Sequence, residues 1–545
     1  MDAGVRFDTQ IVGALPVITQ YMERLRLAEH INDVVPWEGE VPLGTVVEAL
    51  VANRLLQPKA LFRVDDWAQS SGVAGYLGLE PGQLNDDRLG RSLERLANHA
   101  EQIQTALVLT AIREFDLDVS QIHYDITSVE LFGAYEADLA EGATPPTPQP
   151  AYGHTKSGRK NVKQIQLGLN VTGDGGIPMS HLPLDGNAAE SRSHLDNLRR
   201  LRILLPRKKR LYIADTKLDT AENLLAASVG GGEFLCGGTF SPYWKQLYLD
   251  NRRLLQPIDY YPKSQAQRPP EERDVYRGFE LEDCLKGEVS GRQRKLKYRV
   301  LFVWSAGKAR DEATTRERHM AKVREQFETI ERTLNKFSLK TEAAIRRRLE
   351  SARAKYAEGE LFQYEITKNR QGLFSLTWRI DEEALERRKL LEGVYLLKTN
   401  LTKTQSPFAA TLAKYKEQIE VERRFHHLKG PLAVAPMFLK NPERIAGLLC
   451  ILVWAMMVLS LMERQVRHNL QGEPLFGLYP ENRPSPSPTG PAILDCFATL
   501  CIVIVADSGV ISRRLAQPTS IQRRLLSLLD IPPEGLRTFK RRCGM

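Results

Sequence analysis

The first part of the chain, up to about residue 118, has apolar residues at helical intervals. Turn signals at Pro36 and Gly78 separate three such segments: ITQYMERLRLAEHI, VVEALVANRLL and ERLANHAEQIQTALVLTAIREF. We therefore predict an all-helical N-terminal domain over residues 1–118. A small helical unit can present one helix to DNA, or it can serve docking or dimerisation, and the pattern alone leaves both interpretations open.

The periodicity changes from helical to alternating at Val119. The segment VSQIHYDITSVELFG alternates and is rich in β-branched and aromatic residues, which is typical of a strand. Because successive side chains of a strand point to opposite faces, His123, Asp125 and Thr127 should share one face. This strand is the first predicted element of a sheet.

Further strand signals follow a Pro-rich joint at residues 143–150. Two apolar runs flank the sequence Gly-Asp-Gly-Gly at residues 173–176, which is a strong hairpin signal. The segment KKRLYIADTKLDTAENLLAA then predicts a short strand that ends at Asp215, followed by an amphipathic helix. The order strand, hairpin, strand, helix favours a mixed sheet with helices packed on it.

Residues 216 to about 390 are predicted to form a helical insertion. Two β-like pieces, KYRVLFVWS and LFSLTWRI, flank its helices. One helix carries a coiled-coil-like seam with spacings of 4, 3, 4 and 3, formed by Val323, Phe327, Ile330, Leu334 and Phe337. The seam continues on a return helix with Leu349, Ala352 and Tyr356.

An uncharged run of 18 residues, Ile445–Met462, raises the possibility of a membrane span. Charged residues, among them Arg444 and Glu463, adjoin it on both sides. A second run at 492–506 is shorter and is interrupted by Asp495. We expect the first run to be a helix buried in the centre of a large domain, with no membrane contact.

Composition narrows the class of protein. The chain has 545 residues, of which 42% are hydrophobic, so three or four domains with proper cores are expected. Its 6 cysteines form no C-x-x-C pair, and the start MDAGVRFD lacks the pattern of a secretory signal. A disulfide scaffold, a zinc ribbon and a secreted protein are therefore disfavoured, and a cytoplasmic location is expected.

The positive charge is concentrated in one stretch. The net charge is +9, yet residues 286–355 contain 20 Lys or Arg and 9 Asp or Glu, a difference of +11. A local field of this kind favours a polyanion such as nucleic acid, although a solvated charged helix would also explain it.

A polar stripe is predicted on the helix of TLAKYKEQIEVERRFHHLKG. At 100° per residue, Tyr415, Gln418, Glu422, His426 and Lys429 fall within a stripe about 80° wide. An exposed face with ordinary charge pairing is the simplest explanation of such a stripe. His426 and the adjacent histidine fit DNA contact or packing better than metal ligation.

The spacing Tyr415-x2-Gln418-x3-Glu422-x6-Lys429 resembles the Y-x2-R-x3-E-x6-K signature of bacterial insertion-sequence DDE transposases. The resemblance spans about residues 119–470, because further blocks are similar to the family in its order. These blocks are HYDITSVELFG, YGHTKSGRKNVKQIQLGL, PLDGNAAES, LYIADTKLDTAENL and NPERIAGLLCILVWAMMVLSL.

The resemblance implies a fold and a division of the chain. The fold class would be α/β, with an RNase H-like mixed sheet flanked by helices, a helical insertion at about 216–390, and the all-helical N-terminal domain. Residues 1–118 would bind DNA ends, and residues 119–470 would form the catalytic domain. The role of the C-terminal region, 471–545, is left open.

The resemblance also implies a site and its partners. Asp125, Asp215 and Glu422 would be the catalytic residues and the ligands of Mg²⁺, for which Mn²⁺ could substitute; carboxylate oxygens suit this ion. Element ends and target DNA would be the partners of a homodimer. Four residues would contact DNA: Tyr415, Gln418, Lys429 and Lys156.

Departures from the family weaken parts of this prediction. Gln418 stands where the family usually has arginine, and Asn161 and Val162 stand where it tends to have Asp and Leu. One alternative is a metal-dependent nuclease, or an inactive relic that binds DNA with the same fold. A membrane-associated coiled-coil protein is an alternative from another class.

Overall fold

Helices and strands follow one another along the chain in the computed structural model, which describes residues 6–132, 148–153, 161–206, 209–266, 268–289, 291–432, 439, 441–507, 510–532 and 535–536. The strands are β1 (Arg6–Ile11), β2 (Gln121–Leu131), β3 (Lys163–Thr172), β4 (Pro178–Leu184), β5 (Leu211–Ala214), β6 (Glu233–Gly238), β7 (Gln256–Ile258), β8 (Tyr276–Val289), β9 (Arg292–Ser305), β10 (Phe362–Lys368), β11 (Phe374–Ile380), β12 (Val394–Thr399), β13 (Cys501–Asp507) and β14 (Val510–Leu515). The helices are α1 (Leu15–Arg24), α2 (Leu27–Val34), α3 (Leu43–Leu56), α4 (Val64–Ser70), α5 (Val73–Leu77), α6 (Asp86–Glu114), α7 (Glu190–Leu204), α8 (Ala221–Ala227), α9 (Pro242–Asn251), α10 (Ala306–Arg332), α11 (Glu342–Arg353), α12 (Glu382–Lys389), α13 (Phe408–Lys416), α14 (Ile419–Lys429), α15 (Pro442–Leu470), α16 (Gly490–Cys496) and α17 (Ser520–Leu528).

Contacts divide the chain into two compact units. The first unit contains residues 1–233 and 417–545, and the second contains 234–416. The sequence instead predicts successive regions ending near residues 118 and 470. The division differs because elements distant in sequence pack together in the first unit, where α6 lies against α15 and β1 pairs with β13.

The first unit contains a mixed sheet in the order β4-β3-β2-β5. Strand β2 is antiparallel to β3 and parallel to β5, and β3 is antiparallel to β4. The predicted hairpin at 173–176 is present, and Gly175 and Gly176 have φ of +80° and +63°, a backbone region that favours glycine. Helix α14 packs on β2 and β3. The predicted α/β class with a mixed sheet flanked by helices is therefore confirmed.

The sequence predicted an all-helical N-terminal region, but the structure contains a strand there. Its described part begins with β1, which pairs antiparallel with β13, and β13 also pairs with β14. The prediction was wrong at this point because the partner of β1 comes from the far end of the chain, which a local helical pattern cannot reveal. The remaining elements, α1 to α6, are helical as expected.

Helix α15 contains the uncharged run. By length and composition it could cross a membrane, with a mean hydropathy of 2.6 in its most apolar window, but 94% of that window is buried inside the protein. Its neighbours include α3 and α6, and Trp454 Nε1 donates to Gln104 Oε1 of α6 at 2.9 Å. The run thus occupies the position of a core helix, as predicted.

The second unit contains an antiparallel sheet in the order β6-β12-β9-β8-β7 and the hairpin β10-β11. Its helices include α10 and α11, which pack together through Val323, Phe327 and Ile330, all at most 3% exposed. Phe337, however, is 82% exposed, because α10 ends at Arg332 and the predicted seam stops there. The insertion is therefore mixed α/β and not simply helical.

Candidate active site

Two of the predicted catalytic residues occupy neighbouring positions of parallel strands. The register of β2 and β5 pairs Tyr124 with Ala214. Asp125 follows Tyr124 and Asp215 follows Ala214, so the two aspartates come next to each other. Adjacent strands lie about 4.8 Å apart, and residues in register point to the same face of a sheet. The structure therefore places the two residues side by side in the sheet, at the end of β5.

Each aspartate also organises the backbone beside it. Asp125 Oδ1 accepts a hydrogen bond from the N–H of Ile126 at 2.8 Å, and Asp215 Oδ1 accepts one from the N–H of Lys217 at 3.0 Å. The second bond caps the short 3-10 helix that follows β5. These contacts fix the backbone at both positions.

The charges of both carboxylates contribute to the raised pKa of one buried tyrosine, Tyr124. Burial is the main cause that raises the pKa of Tyr124 above its usual value; the hydrogen bond from its hydroxyl to Ser193 opposes the rise, and the charges of Asp125 and Asp215 add to it. Tyr124 points to the sheet face opposite Asp125 and stacks on Tyr212. The aspartate pair therefore lies above a rigid, buried aromatic layer.

Helix α14 is attached to β2 by Gln418, the residue at its N-cap. The side-chain Nε2 donates to the carbonyl of Tyr124 at 2.9 Å, and Oε1 accepts from His123 Nδ1 at 3.1 Å. His123 is fully buried, and burial lowers its pKa despite the amide of Gln418 and the nearby charges of Glu417 and Glu420. Gln418 is only 9% exposed and both of these hydrogen bonds are to β2, so in this structure it is a structural anchor of α14.

A buried ion network holds the other end of α14. Arg424 has no exposed side-chain surface; its guanidinium donates to the carbonyls of Gly175 and Gly176 at 2.6 and 2.9 Å and lies 3.3 Å from Glu463 Oε2. Glu463 also pairs with Arg467 at 2.5 Å and accepts from the first N–H of α16 at 3.0 Å. The network joins α14 to the β-hairpin turn, α15 and α16.

Glu422 is exposed on α14, one turn after Gln418. Within the described ranges, no group of three or more His, Cys, Asp and Glu side chains is arranged to hold a metal ion. The structure thus brings together Asp125 and Asp215, and it does not bring Glu422 into one group with them. Two adjacent carboxylates nevertheless suit a divalent cation, since their mutual repulsion is relieved by the bound charge.

The remaining predicted DNA-binding residues are scattered. Tyr415 lies near the end of α13 in the second unit, and Lys429 is exposed at the last position of α14. Lys156 lies outside the described residues. Of the residues on the stripe, Gln418 is the one seen to bond to β2, and its side chain points away from solvent.

Sequence reasoning missed the roles of His123, Arg424 and Glu463. The sequence did place His123 on the face of Asp125, which could have suggested a polar partner from a helix packed on that face. Arg424 and Glu463 gave no local signal, because each is an ordinary charged residue in a helix until the helices pack and exclude water from both.

Comparison with known proteins matches one part of the chain to a family model and gives a distant likeness to solved structures. Residues 7–109 match the family model described as a domain of unknown function (DUF4277). A search of curated proteins gave no match. Among solved structures, the cryo-EM structure of the piggyBac transposase synaptic complex with hairpin DNA is 8% identical, with 89% of this chain and 79% of that chain covered and a TM-score of 0.36. At that TM-score the likeness carries no argument about fold or function.

Proposed function

We propose that the chain is a DDE transposase with an RNase H-like catalytic fold, which cleaves phosphodiester bonds at the ends of a DNA element and joins the 3′-hydroxyl to target DNA. The observation that carries the proposal is the adjacent placement of Asp125 on β2 and Asp215 directly after β5. The sequence resemblance supports it independently, because it selects the same two aspartates from separate blocks of the family.

In this proposal, Asp125 and Asp215 hold divalent metal, Mg²⁺ or Mn²⁺, and Glu422 would complete the ligand set, although the described residues do not group it with the two aspartates. When bound, the metal would activate the attacking oxygen and stabilise the leaving oxygen of a phosphodiester. The protein's part is to present the carboxylates rigidly: strand pairing sets the two aspartates, and the Gln418 and Arg424 contacts set the helix that carries Glu422. Lys429 and Tyr415 would position DNA, and a cytoplasmic homodimer would be the active form.

The test is an in vitro reaction with the element's end DNA and Mg²⁺, scored separately for nicking and joining. The variants Asp125→Asn and Asp215→Asn should abolish both products while DNA binding persists, because the carboxylates act on the transition state. Asp196→Asn is the matched control, since Asp196 is an exposed aspartate paired with Arg199 on α7, and it should react normally.

Each outcome bears on a separate part of the proposal. Normal cleavage by an aspartate variant would remove that residue from the site. Activity that persists in Glu422→Gln but not in the aspartate variants would show that another group completes the site. Nicking without joining by the unaltered chain would favour the metal-dependent nuclease over the transposase.

A further inference from the structure

The hairpin β8-β9 extends beyond the sheet of the second unit. β7 pairs with β8 only at 276–278, and β12 pairs with β9 only at 299–304. Residues 283–289 and 292–298 therefore pair only with each other, and we refer to these two segments as the ribbon. With 7 residues in each strand, the ribbon is roughly 24 Å long.

The ribbon is basic. It contains five cations and two acids, Asp283 and Glu288, which gives it a net charge of 5 − 2 = +3. Both acids are engaged within the ribbon, Asp283 by the hydroxyl of Tyr298 and Glu288 by the amide of Gln293. The cations, none of which forms an ion pair within the part of the chain that the structure describes, are Lys286, Arg292, Arg294, Lys295 and Lys297.

Three of the cations lie on one exposed face. The register places Lys286 directly opposite Lys295, and Lys297 opposite Cys284, so these side chains share a face. Every described residue of that face in the ribbon is exposed, whereas Leu296 on the other face is buried. Like charges directly opposite each other destabilise a hairpin, so an anionic partner would stabilise this arrangement.

Helix α11 is another source of positive charge in the second unit. Its four arginines, Arg346, Arg347, Arg348 and Arg353, fall within the basic stretch 286–355. In the structure Arg346 pairs with Glu342 at 2.8 Å, and Arg353 pairs with Glu350 at 3.0 Å. Half of the arginine charge of α11 is thus neutralised within the helix, whereas no cation of the ribbon is ion-paired within the described residues, so the ribbon is the better candidate for a polyanion contact.

We propose that the ribbon is a DNA-binding arm that enters the major groove of duplex DNA and places Lys286, Lys295 and Lys297 against the phosphates. The major groove is about 12 Å wide and admits a two-stranded β-ribbon, whose strands lie about 4.8 Å apart. Lysine contacts to phosphate supply affinity without base specificity, which fits an enzyme that must hold DNA of varied sequence. The proposal deepens the proposed function and rests on it for the choice of DNA as the polyanion.

The test measures binding of the full chain to a fluorescent duplex of arbitrary sequence, without divalent metal, between about 50 and 200 mM salt. The variant K286Q/K295Q/K297Q should weaken binding roughly 10- to 100-fold and reduce the slope of log K against log salt by about 2.7, because each phosphate contact contributes about 0.9. Circular dichroism and the melting temperature show whether the variant is folded.

The matched control removes the same charge from ion-paired cations of the second unit, of which Arg346 and Lys389 are exposed and Lys308 is half-buried. These are Lys308, Arg346 and Lys389, which pair with glutamates one turn away. The variant K308Q/R346Q/K389Q should change the salt slope by much less than the ribbon variant. Equal losses in the two variants would mean that only net charge matters, and they would overturn the proposal.

The remaining outcomes separate this proposal from the proposed function. An unchanged slope in the ribbon variant overturns the DNA-binding arm alone. A chain that binds anionic lipid vesicles through these lysines but no duplex overturns both proposals. Loss of binding in the ribbon variant, in a chain that binds DNA but never cleaves it with Mg²⁺, supports the arm and counts against the transposase.

Discussion

The anchoring of α14 by Gln418 gives a prediction with a definite magnitude. Gln418→Ala removes one hydrogen bond to the carbonyl of Tyr124 and one from His123 Nδ1, and both partner groups are buried. A buried polar group left without a partner costs about 1–3 kcal/mol. For the two groups we therefore expect the free energy of unfolding of the first unit to fall by about 2–6 kcal/mol, and by less if water enters the cavity.

Urea unfolding followed by tryptophan fluorescence measures this loss. The urea concentration at the midpoint should fall, while the dependence of the unfolding free energy on urea concentration should not change. The matched control is Ile419→Ala, since Ile419 is the next residue, is 55% exposed, and should change stability by less than about 0.5 kcal/mol. If cleavage activity is present, kcat should fall more than KM rises, because the hydrogen bonds of Gln418 to β2 position the helix that carries Glu422. A loss no larger than that of the control would refute the anchoring role.

The variant Gln418→Arg separates this interpretation from the one that the sequence suggested. A phosphate-facing residue 418 predicts stronger DNA binding, since arginine adds charge and a forked donor. A buried residue 418 predicts unchanged DNA affinity and lower stability, because a guanidinium would be forced beside the neutral ring of His123. Tighter DNA binding with unchanged stability would restore the phosphate contact.

Three further predictions concern stability alone. Burial favours a raised pKa for Glu463, but the charge of Arg424 and its other partners hold that pKa below its usual value. The carboxylate therefore stabilises the fold above about pH 4.3, and the contribution disappears as the pH falls further. Glu463→Gln should lower the free energy of unfolding at pH 7 by about 3–5 kcal/mol in chemical denaturation and should abolish that part of the acid dependence. Gly168→Ala should lower the melting temperature, because its Cβ would lie within 2.9 Å of a buried tyrosine ring carbon, whereas Gly75→Ala has room and should not. Burial lowers the pKa of His181 to about 4, so as the pH drops from about 6.5 to 4 the imidazole is protonated in the unfolded chain before it is protonated in the folded one, and stability falls. His181→Leu should make the pH dependence of the urea midpoint shallower, and an unaltered dependence would contradict this.

Local patterns were sufficient for the elements that surround the aspartates. Alternation predicted β2, the segment Gly-Asp-Gly-Gly predicted the turn at 173–176, and a short apolar run ending at Asp215 predicted β5. These predictions succeeded because strand faces and tight turns depend on residues close together in the chain. The long apolar run likewise predicted the buried helix α15.

Contacts between distant segments decided the rest. The pairing of β1 with β13 and the grouping of residues 1–233 with 417–545 depend on partners that no local window contains. Burial then determined the roles of side chains: Gln418 became an anchor, Arg424 became part of an ion network, and Arg346 and Arg353 of α11 acquired glutamate partners. The sequence by itself determined which residues carry charge and which strands, turn and helix surround the aspartates. The tertiary structure decided the pairing of β1 and which charges remain available to a partner, because only packing removes water from a side chain.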